Sequence, residues 1–313
     1  MGVRCFVTGA TGFVGSHASR RLLSEGCAVA ALVRPSANRW RIADIERSLA
    51  LIPGDLDALT ASESAIAAFR PDVIVHCGWR GRGRGFRDDA GQFDWNVGPT
   101  LDLVRIARRV GCRRFVAVGS QAEYGPINGS VNEETYLKPT TAYGVAKYCL
   151  GLVTAKMCSL AGIEHCWLRL FAAYGPFDDR DTLIPSLVFD AANGRSPRLG
   201  PGTNRLDYLH TDDVAAAIAR ACSIGAGQGS FVLGSGRAET VRWTAERVWA
   251  RAGAPTPLSF GAIDGPPGQS DAVIADSRRL RDATGWRPTI ELENGLDRTV
   301  DWLLANQARY PAI

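Results

Sequence analysis

Short apolar runs alternate with longer stretches of helical periodicity along the first half of the chain. The runs are rich in Val, Leu, Ile, Phe and Cys, which is typical of strands covered on both faces. They lie at 3–7, 27–33, 49–52, 73–77, 114–118 and 165–170, and the helical patterns lie at 13–25, 60–69, 91–110 and 142–161. Because strand, helix and strand in succession form right-handed crossovers, the pattern predicts an α/β fold with a doubly wound parallel sheet.

After about residue 170, Pro and Gly become frequent and the alternation weakens. One helical stretch, Asp212 to Cys222, precedes a strand candidate, Ser230 to Leu233. We therefore predict two domains. The larger domain comprises residues 1–170 plus about 205–235, and the smaller one comprises about 171–204 plus 236–313.

The net charge of +4 is small for 313 residues. It does not indicate a nucleic-acid partner, because a protein surface that binds nucleic acid requires clustered basic residues. Apolar runs stay below the roughly 20 residues of a membrane span, and the N-terminus has no pattern of a targeting segment. The eight cysteines form no C-x-x-C pair, and the four histidines lack metal-ligand spacing. We expect a cytoplasmic protein with reduced cysteines that binds no nucleic acid, membrane or metal.

The first predicted strand leads into a glycine-rich turn, and a helical pattern follows. Glycines permit a tight turn and let the main chain approach a pyrophosphate, whose charge the free N–H groups of the helix start stabilise. The turn has G-x-x-G-x-x-G spacing, and the residues predicted to bind a dinucleotide are Gly9, Thr11, Gly12, Phe13, Val14 and Gly15.

Arg34 follows the second apolar run, where NAD-selective sites hold the ribose 2′-hydroxyl with a carboxylate. A guanidinium suits a 2′-phosphate instead, so Arg34 favours NADP as the cofactor, with NAD possible. Residues after the third and fourth runs lie where parallel strands form the ligand crevice. The cofactor contacts predicted there are Asp55 and Leu56 at the adenine, and Cys77, Gly78 and Trp79.

A Tyr-x-x-x-Lys pair provides the candidate chemistry. Tyr143 and Lys147 share one face of a helix, because positions i and i+4 are neighbours. A nearby cation favours a phenolate and makes a tyrosine a better proton acceptor at neutral pH. Ser120 ends the fifth predicted strand and can hold a carbonyl or alcohol oxygen. We predict that Ser120, Tyr143 and Lys147 are the catalytic residues of an alcohol/ketone site.

With these motifs the chain resembles the extended short-chain dehydrogenases, a group of nucleotide-sugar epimerases, dehydratases and reductases. Further motifs in the same order are Asn96-Val97, Tyr124-Gly125, Tyr174-Gly175-Pro176, Asp207 to Val214 and Gly285 to Pro288. The resemblance implies a Rossmann domain, a C-terminal substrate domain and a homodimer formed through helices 91–110 and 142–161. It also implies cofactor contacts at Asn96, Tyr143, Lys147 and Leu170, and substrate contacts at Ser120, Gln121, Tyr143 and Arg205.

Some positions depart from the family pattern. Dehydratases of the family carry an Asp-Glu pair after the active-site hydroxyl residue, whereas this chain has Gln121 and Ala122, so we do not expect elimination of water. Ala172 and Leu206 replace an Asn and an Arg that are typical of members binding a sugar diphosphate. The loop Arg80 to Gly85 is a mobile lid whose arginines, Arg80 among them, meet the substrate diphosphate, or a solvated loop. A third reading, an RNA-binding Arg-Gly tract, is disfavoured because the tract is short and lies inside the fold.

The leading hypothesis is reduction of a 4-keto nucleotide sugar with NADPH. A nucleotide-sugar 4-epimerase with bound NAD needs the same three catalytic residues, so they do not separate the two reactions. Two further hypotheses are a non-catalytic dinucleotide sensor and a reductase for a substrate without a nucleotide.

Overall fold

The computed structural model describes residues 2–81, 83–254, 256–264 and 270–310. Arg82 of the predicted arginine-glycine loop therefore lies outside the described residues. Helices and strands are numbered below in chain order, and short 3-10 turns are named by their residues.

A parallel sheet of seven strands forms the larger part of the fold. Its order is β10-β7-β5-β4-β1-β2-β3, and every neighbouring pair is parallel. Chain connections diverge between β1 and β4, so the ligand crevice of such a sheet opens there, beyond the carboxyl ends of the strands. The strands are β1 (Arg4–Thr8), β2 (Ala28–Val33), β3 (Ala50–Pro53), β4 (Val73–His76), β5 (Arg114–Ser120), β7 (Glu164–Leu170) and β10 (Gly229–Leu233).

Helices cover both faces of this sheet. On one face α1 (Phe13–Ser24) and α6 (Thr211–Ala221) pack together over a core that includes Val7 and Leu168. On the other face α3 (Gly91–Arg109) and α4 (Ala142–Ala161) pack together over a core that includes Phe115 and Trp167. The short helix α2 (Glu63–Phe69) follows a 3-10 turn at Leu56–Ser62. The α/β fold with a doubly wound parallel sheet, predicted from the sequence, is confirmed.

A second, smaller sheet is assembled from short strands that are far apart in the chain. Its order is β11-β9-β12-β6, and β8 pairs with β9. These strands are β6 (Gly129–Val131), β8 (Ala172–Tyr174), β9 (Arg205–His210), β11 (Ala238–Thr240) and β12 (Ala272–Ala275). The predicted segment 205–235 thus divides between the sheets, because β9 belongs to the second while α6 and β10 pack with the first.

The C-terminal helices complete the smaller unit. Helices α5 (Leu183–Ala192), α7 (Val241–Arg251) and α9 (Leu292–Ala305) enclose a separate core around Leu187, Val248 and Leu296. The helix α8 (Arg278–Thr284) contacts β10 and α6. In the part of the chain that the structure describes, no helix is both long and apolar enough to span a bilayer.

Candidate active site

The glycine-rich turn between β1 and α1 has the close main-chain packing and the uncapped helix start that suit a pyrophosphate. A Cβ at Gly15 would overlap the carbonyl oxygen of Gly9, and one at Gly9 would lie 2.6 Å from the main-chain nitrogen of Gly78. Gly9 also has a φ of +73°, which favours glycine. Gly12 precedes α1 without a side-chain cap, and the first turn of α1 contains no acidic residue. The first turn of a helix leaves main-chain N–H groups without acceptors inside the helix, and such groups can bind an anion.

The predicted adenine side of the crevice holds an ion-pair cluster. Arg80 donates from Nη2 to both carboxylate oxygens of Asp55, at 3.1 and 3.0 Å, and from Nη1 to Asp57. The side chain of Arg80 is 37% exposed. The structure thus pairs Arg80, predicted from the sequence to meet the substrate diphosphate, with the residue predicted to meet the adenine.

The end of β2 carries two arginines with different surroundings. Arg34 is exposed, and none of the described carboxylates forms an ion pair with it. Arg39 donates to Glu46 at 2.9 Å. Arg34 is therefore the guanidinium that is available to a ligand at this strand end.

Lys147 is buried in α4, with 5% of its surface exposed. Its ammonium donates to the carbonyl oxygen of Val118 in β5 at 2.7 Å and lies 3.7 Å from the ring centroid of Trp79. Burial lowers the pKa of Lys147 to about 7, and the negative charge of Glu123 opposes part of that shift. The ammonium is consequently poised to change its charge near neutral pH.

The carboxyl end of β5 brings Ser120 next to the first turn of α4. Ser120 Oγ accepts a hydrogen bond from Ala122 N at 3.1 Å, which leaves the hydroxyl hydrogen free to be donated. A Cβ at Gly144 would lie 2.5 Å from the carbonyl oxygen of Ala122, so α4 packs closely against the turn after Ser120. Since Lys147 also contacts β5, the structure brings Ser120 together with the helix that carries Tyr143 and Lys147.

Trp79 contacts both predicted catalytic residues of α4. Its ring meets that of Tyr143 edge to face with centroids 5.5 Å apart, and its other contact is with the ammonium of Lys147. Trp79 Nε1 donates to Gln92 Oε1 at 2.9 Å, which fixes the indole from α3. The sequence identified Trp79 as a crevice residue, whereas its position against Lys147 depends on tertiary packing.

The segment after Trp79 is anchored at several points. Asn96 in α3 accepts from Arg80 N at 2.8 Å and donates to Arg80 O at 3.2 Å. The N–H groups of Ala142 and Tyr143, which begin α4, donate to Asp88 Oδ1 and Arg87 O. Asn96, predicted as a cofactor contact, thus holds the Arg80 main chain, and the same loop covers the start of the helix that carries Tyr143.

A buried carboxylate lies directly behind Ser120 and was not predicted from the sequence. Glu123 has no exposed surface and binds Ser120 N, Trp167 Nε1 and Arg169 Nε. The only sequence signal was a capping-box spacing, in which a Ser is followed three residues later by a Glu. Both halves of that capping box are present in the structure.

The remaining predicted residues occupy three different places. Leu170 is the register partner of Ser120 across β7 and β5 and is partly buried. Gln121 follows Ser120 and is partly exposed. Arg205 in β9 donates to the carbonyl oxygen of Ala238 in the second sheet at 2.8 Å.

Buried histidine and thiol groups near the site are uncharged. Burial lowers the pKa of His76 to about 3, and its ring nitrogens bind Thr8 and Thr100. Burial also raises the pKa of the Cys77 thiol to about 12. Among the described residues there is no group of three or more His, Cys, Asp or Glu side chains suited to hold a metal ion.

Comparison with known proteins agrees with this arrangement. Residues 5–234 match the model of the NAD dependent epimerase/dehydratase family. The dTDP-glucose 4,6-dehydratase of Streptomyces niveus is 28% identical, with 98% of this chain and 94% of the relative covered. The UDP-glucose 4-epimerase of Mycolicibacterium smegmatis is also 28% identical, with 96% and 98% covered.

Solved structures with the same fold include enzymes of both kinds. The dTDP-glucose 4,6-dehydratase of Streptomyces venezuelae, with NAD and TYD bound, has a TM-score of 0.89 and 26% identity, covering 98% of this chain and 99% of that one. The Thermus thermophilus UDP-glucose 4-epimerase complexed with NAD has a TM-score of 0.87 and 25% identity, covering 96% and 99%. The chain therefore belongs to the NAD dependent epimerase/dehydratase family, a group of enzymes within the extended short-chain dehydrogenases.

Proposed function

We propose that the chain is an NAD(P)-dependent oxidoreductase for a nucleotide-activated sugar, and that its main reaction is reduction of a 4-keto group. The observation that carries this proposal is the convergence of Ser120 with the helix of Tyr143 and Lys147, above the uncapped glycine-rich turn. The family relatives act on glucose attached to dTDP or UDP, as their names state.

In the proposed reaction, the Tyr143 hydroxyl donates its proton to the ketone oxygen while the carbon receives a hydride, so that the ketone becomes an alcohol. When bound, NADPH supplies the hydride. Ser120 donates its hydroxyl hydrogen to the same oxygen, and Gly9, Gly12 and Gly15 give the pyrophosphate its close approach to the main chain. Lys147 as a cation stabilises the phenolate that remains on Tyr143.

The turn after Ser120 supports reduction rather than elimination of water. Gln121 and Ala122 occupy the positions of the dehydratase Asp-Glu pair, and neither is ionisable. The carboxylate of this turn, Glu123, is fully buried and is bonded to Arg169, so it is not available to a substrate. General acid–base catalysis requires a group within hydrogen-bond reach of the reacting atom.

The cofactor preference is proposed as NADP on the basis of Arg34. NAD is the cofactor named for the solved relatives, and the family is NAD-dependent. The exposed Arg34 guanidinium supports an added contact to a 2′-phosphate, because β2 provides no carboxylate for a 2′-hydroxyl. A 4-epimerase that keeps NAD bound is the second candidate, and it is favoured by the epimerase relatives.

Gln121 and Arg205 are proposed as substrate contacts, and Arg80 as a residue that covers the adenine side rather than the diphosphate. The two-domain division and the cytoplasmic location stay predictions from the sequence.

A homodimer through α3 and α4 is proposed because both helices carry exposed apolar side chains.

The test is an assay with dTDP-4-keto-6-deoxyglucose and UDP-glucose as probes. Wild type is expected to oxidise one NADPH for each keto sugar reduced. Tyr143→Phe is expected to lower kcat by about 100- to 10,000-fold while NADPH binding is retained. The matched control is Tyr148→Phe, on the same helix, which should keep wild-type turnover.

Each other outcome counts against the proposal. Interconversion of UDP-glucose and UDP-galactose without net use of NADPH would replace reduction by epimerisation. Turnover that survives in Tyr143→Phe would overturn the role of the phenol, and cofactor binding without turnover of either probe would overturn the nucleotide-sugar assignment.

A further inference from the structure

Behind Ser120, Glu123 is the centre of a buried polar network. Its Oε1 accepts from Ser120 N at 2.8 Å and from Trp167 Nε1 at 2.9 Å, and its Oε2 accepts from Arg169 Nε at 2.8 Å. Glu123 and Trp167 have no exposed surface, and Arg169 is 6% exposed. A carboxylate withdrawn from water in this way is tolerated because each of its oxygens is bonded.

Two glycines make the space that this network occupies. A Cβ at Gly119 would overlap Trp167 Nε1 and lie 2.5 Å from Glu123 Oε1. A Cβ at Gly151 in α4 would lie 3.1 Å from the Trp167 ring. The strand that ends in Ser120 and the helix that carries Tyr143 are therefore both shaped around the Glu123–Trp167 contact.

The same carboxylate acts electrostatically on Lys147. Glu123 favours the charged form of Lys147 and opposes the lowering of its pKa by burial, and the Cys77 sulfur would do so only as a thiolate. The Cys77 thiol stays protonated at neutral pH, since burial raises its pKa to about 12, and His76 stays neutral, since burial lowers its pKa to about 3. The ammonium also lies 3.7 Å from the ring centroid of Trp79, 5.9 Å from that of Trp167 and 2.7 Å from the Val118 carbonyl oxygen, and none of these groups carries a net charge.

We propose that Glu123 is a positioning residue of the active site, which fixes the main chain of Ser120 and supplies a buried negative charge near Lys147, whose ammonium lies 5.9 Å from the ring of the Trp167 that Glu123 binds. This role rests on the proposed function, because Ser120 and Lys147 matter catalytically only if the site transfers a proton through Tyr143. Arg169 binds the second carboxylate oxygen of Glu123, Oε2, so the network contains the charges of Lys147, Glu123 and Arg169.

The first test measures Lys147 directly and needs no substrate. The chain contains three lysines, Lys138, Lys147 and Lys156, so the full-length protein labelled in its lysine side chains gives a simple NMR spectrum. In Glu123→Gln the titration of Lys147 is expected about one pH unit lower than in wild type, because an opposing charge is removed. In Arg169→Gln it is expected to move in the opposite direction, because the variant removes the positive charge that is bonded to Glu123.

Glu123→Asp separates the two parts of the proposed role. The shorter side chain keeps the negative charge but withdraws from Ser120 N, so Lys147 should titrate close to its wild-type pH. With the keto sugar as substrate, kcat is expected to fall by about 10- to 100-fold without a matching change in KM, because the Ser120 hydroxyl is misplaced. The matched control is Glu133→Gln, a carboxylate that accepts a main-chain N–H from Val232 at 2.8 Å, and it should change neither quantity.

Lys147 titrating at the wild-type pH in folded Glu123→Gln would overturn the electrostatic role. If that variant does not fold, an unchanged titration in Arg169→Gln would overturn the same role. Wild-type kcat in Glu123→Asp would overturn the positioning role. Failure of the proposed function would instead appear as absence of turnover in wild type, with the NMR titrations still giving an answer on Glu123.

Discussion

At the end of β2, Arg34 and Arg39 differ in the partners that the fold gives them. Glu46 neutralises Arg39 across the 3-10 turns that follow β2, whereas Arg34 is exposed and has no acidic partner within the described ranges. An unpaired guanidinium is weakly hydrated and presents a planar fork of donors that matches phosphate oxygens. Its interaction with a 2′-phosphate would therefore not require an existing ion pair to be broken.

Arg34→Ala is expected to weaken NADPH binding by about 10- to 100-fold, the worth of a lost hydrogen bond between charged groups. NADH binding should change less than about twofold, since NADH has no 2′-phosphate. Fluorescence titration of both cofactors measures the two dissociation constants, and Arg47→Ala provides an exposed arginine nearby as control. Tighter binding of NADH by wild type, or NAD⁺ that copurifies with it, would contradict the NADP proposal.

Residue predictions from the sequence depended on local spacing. Tyr143 and Lys147 were identifiable because helical periodicity alone places them on one face. The position of Trp79 after a predicted strand placed it in the crevice. Its contact with the Lys147 ammonium could not be predicted, because 68 positions separate the two residues in the chain. The bonds of Glu123 to Trp167 and Arg169 could not be predicted for the same reason.

At the scale of elements, the carboxyl end of β5 is built around the absence of a side chain at Gly119. Trp167 projects from the neighbouring strand β7 into the space above Gly119, and its indole N–H reaches the Glu123 carboxylate there. Gly119 does not have a positive φ, so glycine is required at this position for space and not for backbone conformation.

Gly119→Ala is expected to destabilise the protein by about 3 kcal/mol, because the added methyl group must displace a packed indole and a bonded carboxylate. Gly98→Ala in α3 is the matched control, since a Cβ there meets nothing within 4 Å. That variant should be about 0.5–1 kcal/mol more stable than wild type, given the higher helix propensity of alanine. Urea unfolding measures both differences, and equal stability of Gly119→Ala and wild type would show that the Trp167 contact is not tightly packed.

Elements of the large sheet were predictable, and those of the small sheet were not. Strands β1 to β5 and β7 each contain at least three consecutive apolar residues, so their pattern survives in the sequence. In β9, by contrast, the middle position is Asp207, whose carboxylate is buried and accepts from Ser235, Gly236 and Ala275. A buried polar residue conceals the strand pattern, and the neighbouring β6, β8 and β11 contain three residues each.

On the scale of the whole molecule, exposed apolar side chains are concentrated on one pair of helices. Among the residues that the structure describes, four of the seven large exposed hydrophobic ones lie on α3 or α4, namely Phe93, Leu152, Val153 and Leu160. In α4, Leu152 and Leu160 lie on one face two turns apart, so this face carries a largely apolar stripe that the exposed Lys156 interrupts. Apolar stripes of this kind on a monomer surface mark interaction sites, and α3 lies beside α4.

The proposed homodimer predicts that charge on this stripe separates the subunits. Wild type is expected to run at twice the chain mass of 33.6 kDa in light scattering coupled to size exclusion, with little dependence on salt because the contact is apolar. The double variant Leu152→Glu, Leu160→Glu should run as a monomer, since two carboxylates would be buried without partners in each subunit. Tyr136→Glu alters another highly exposed hydrophobic residue, 81% accessible, and should leave the mass unchanged.

A wild-type monomer, or a dimer that survives the double variant, would show that α3 and α4 do not form the interface. Because α4 also carries Tyr143 and Lys147, a monomeric variant that keeps full turnover would further show that the helix holds its catalytic side chains without support from a second subunit.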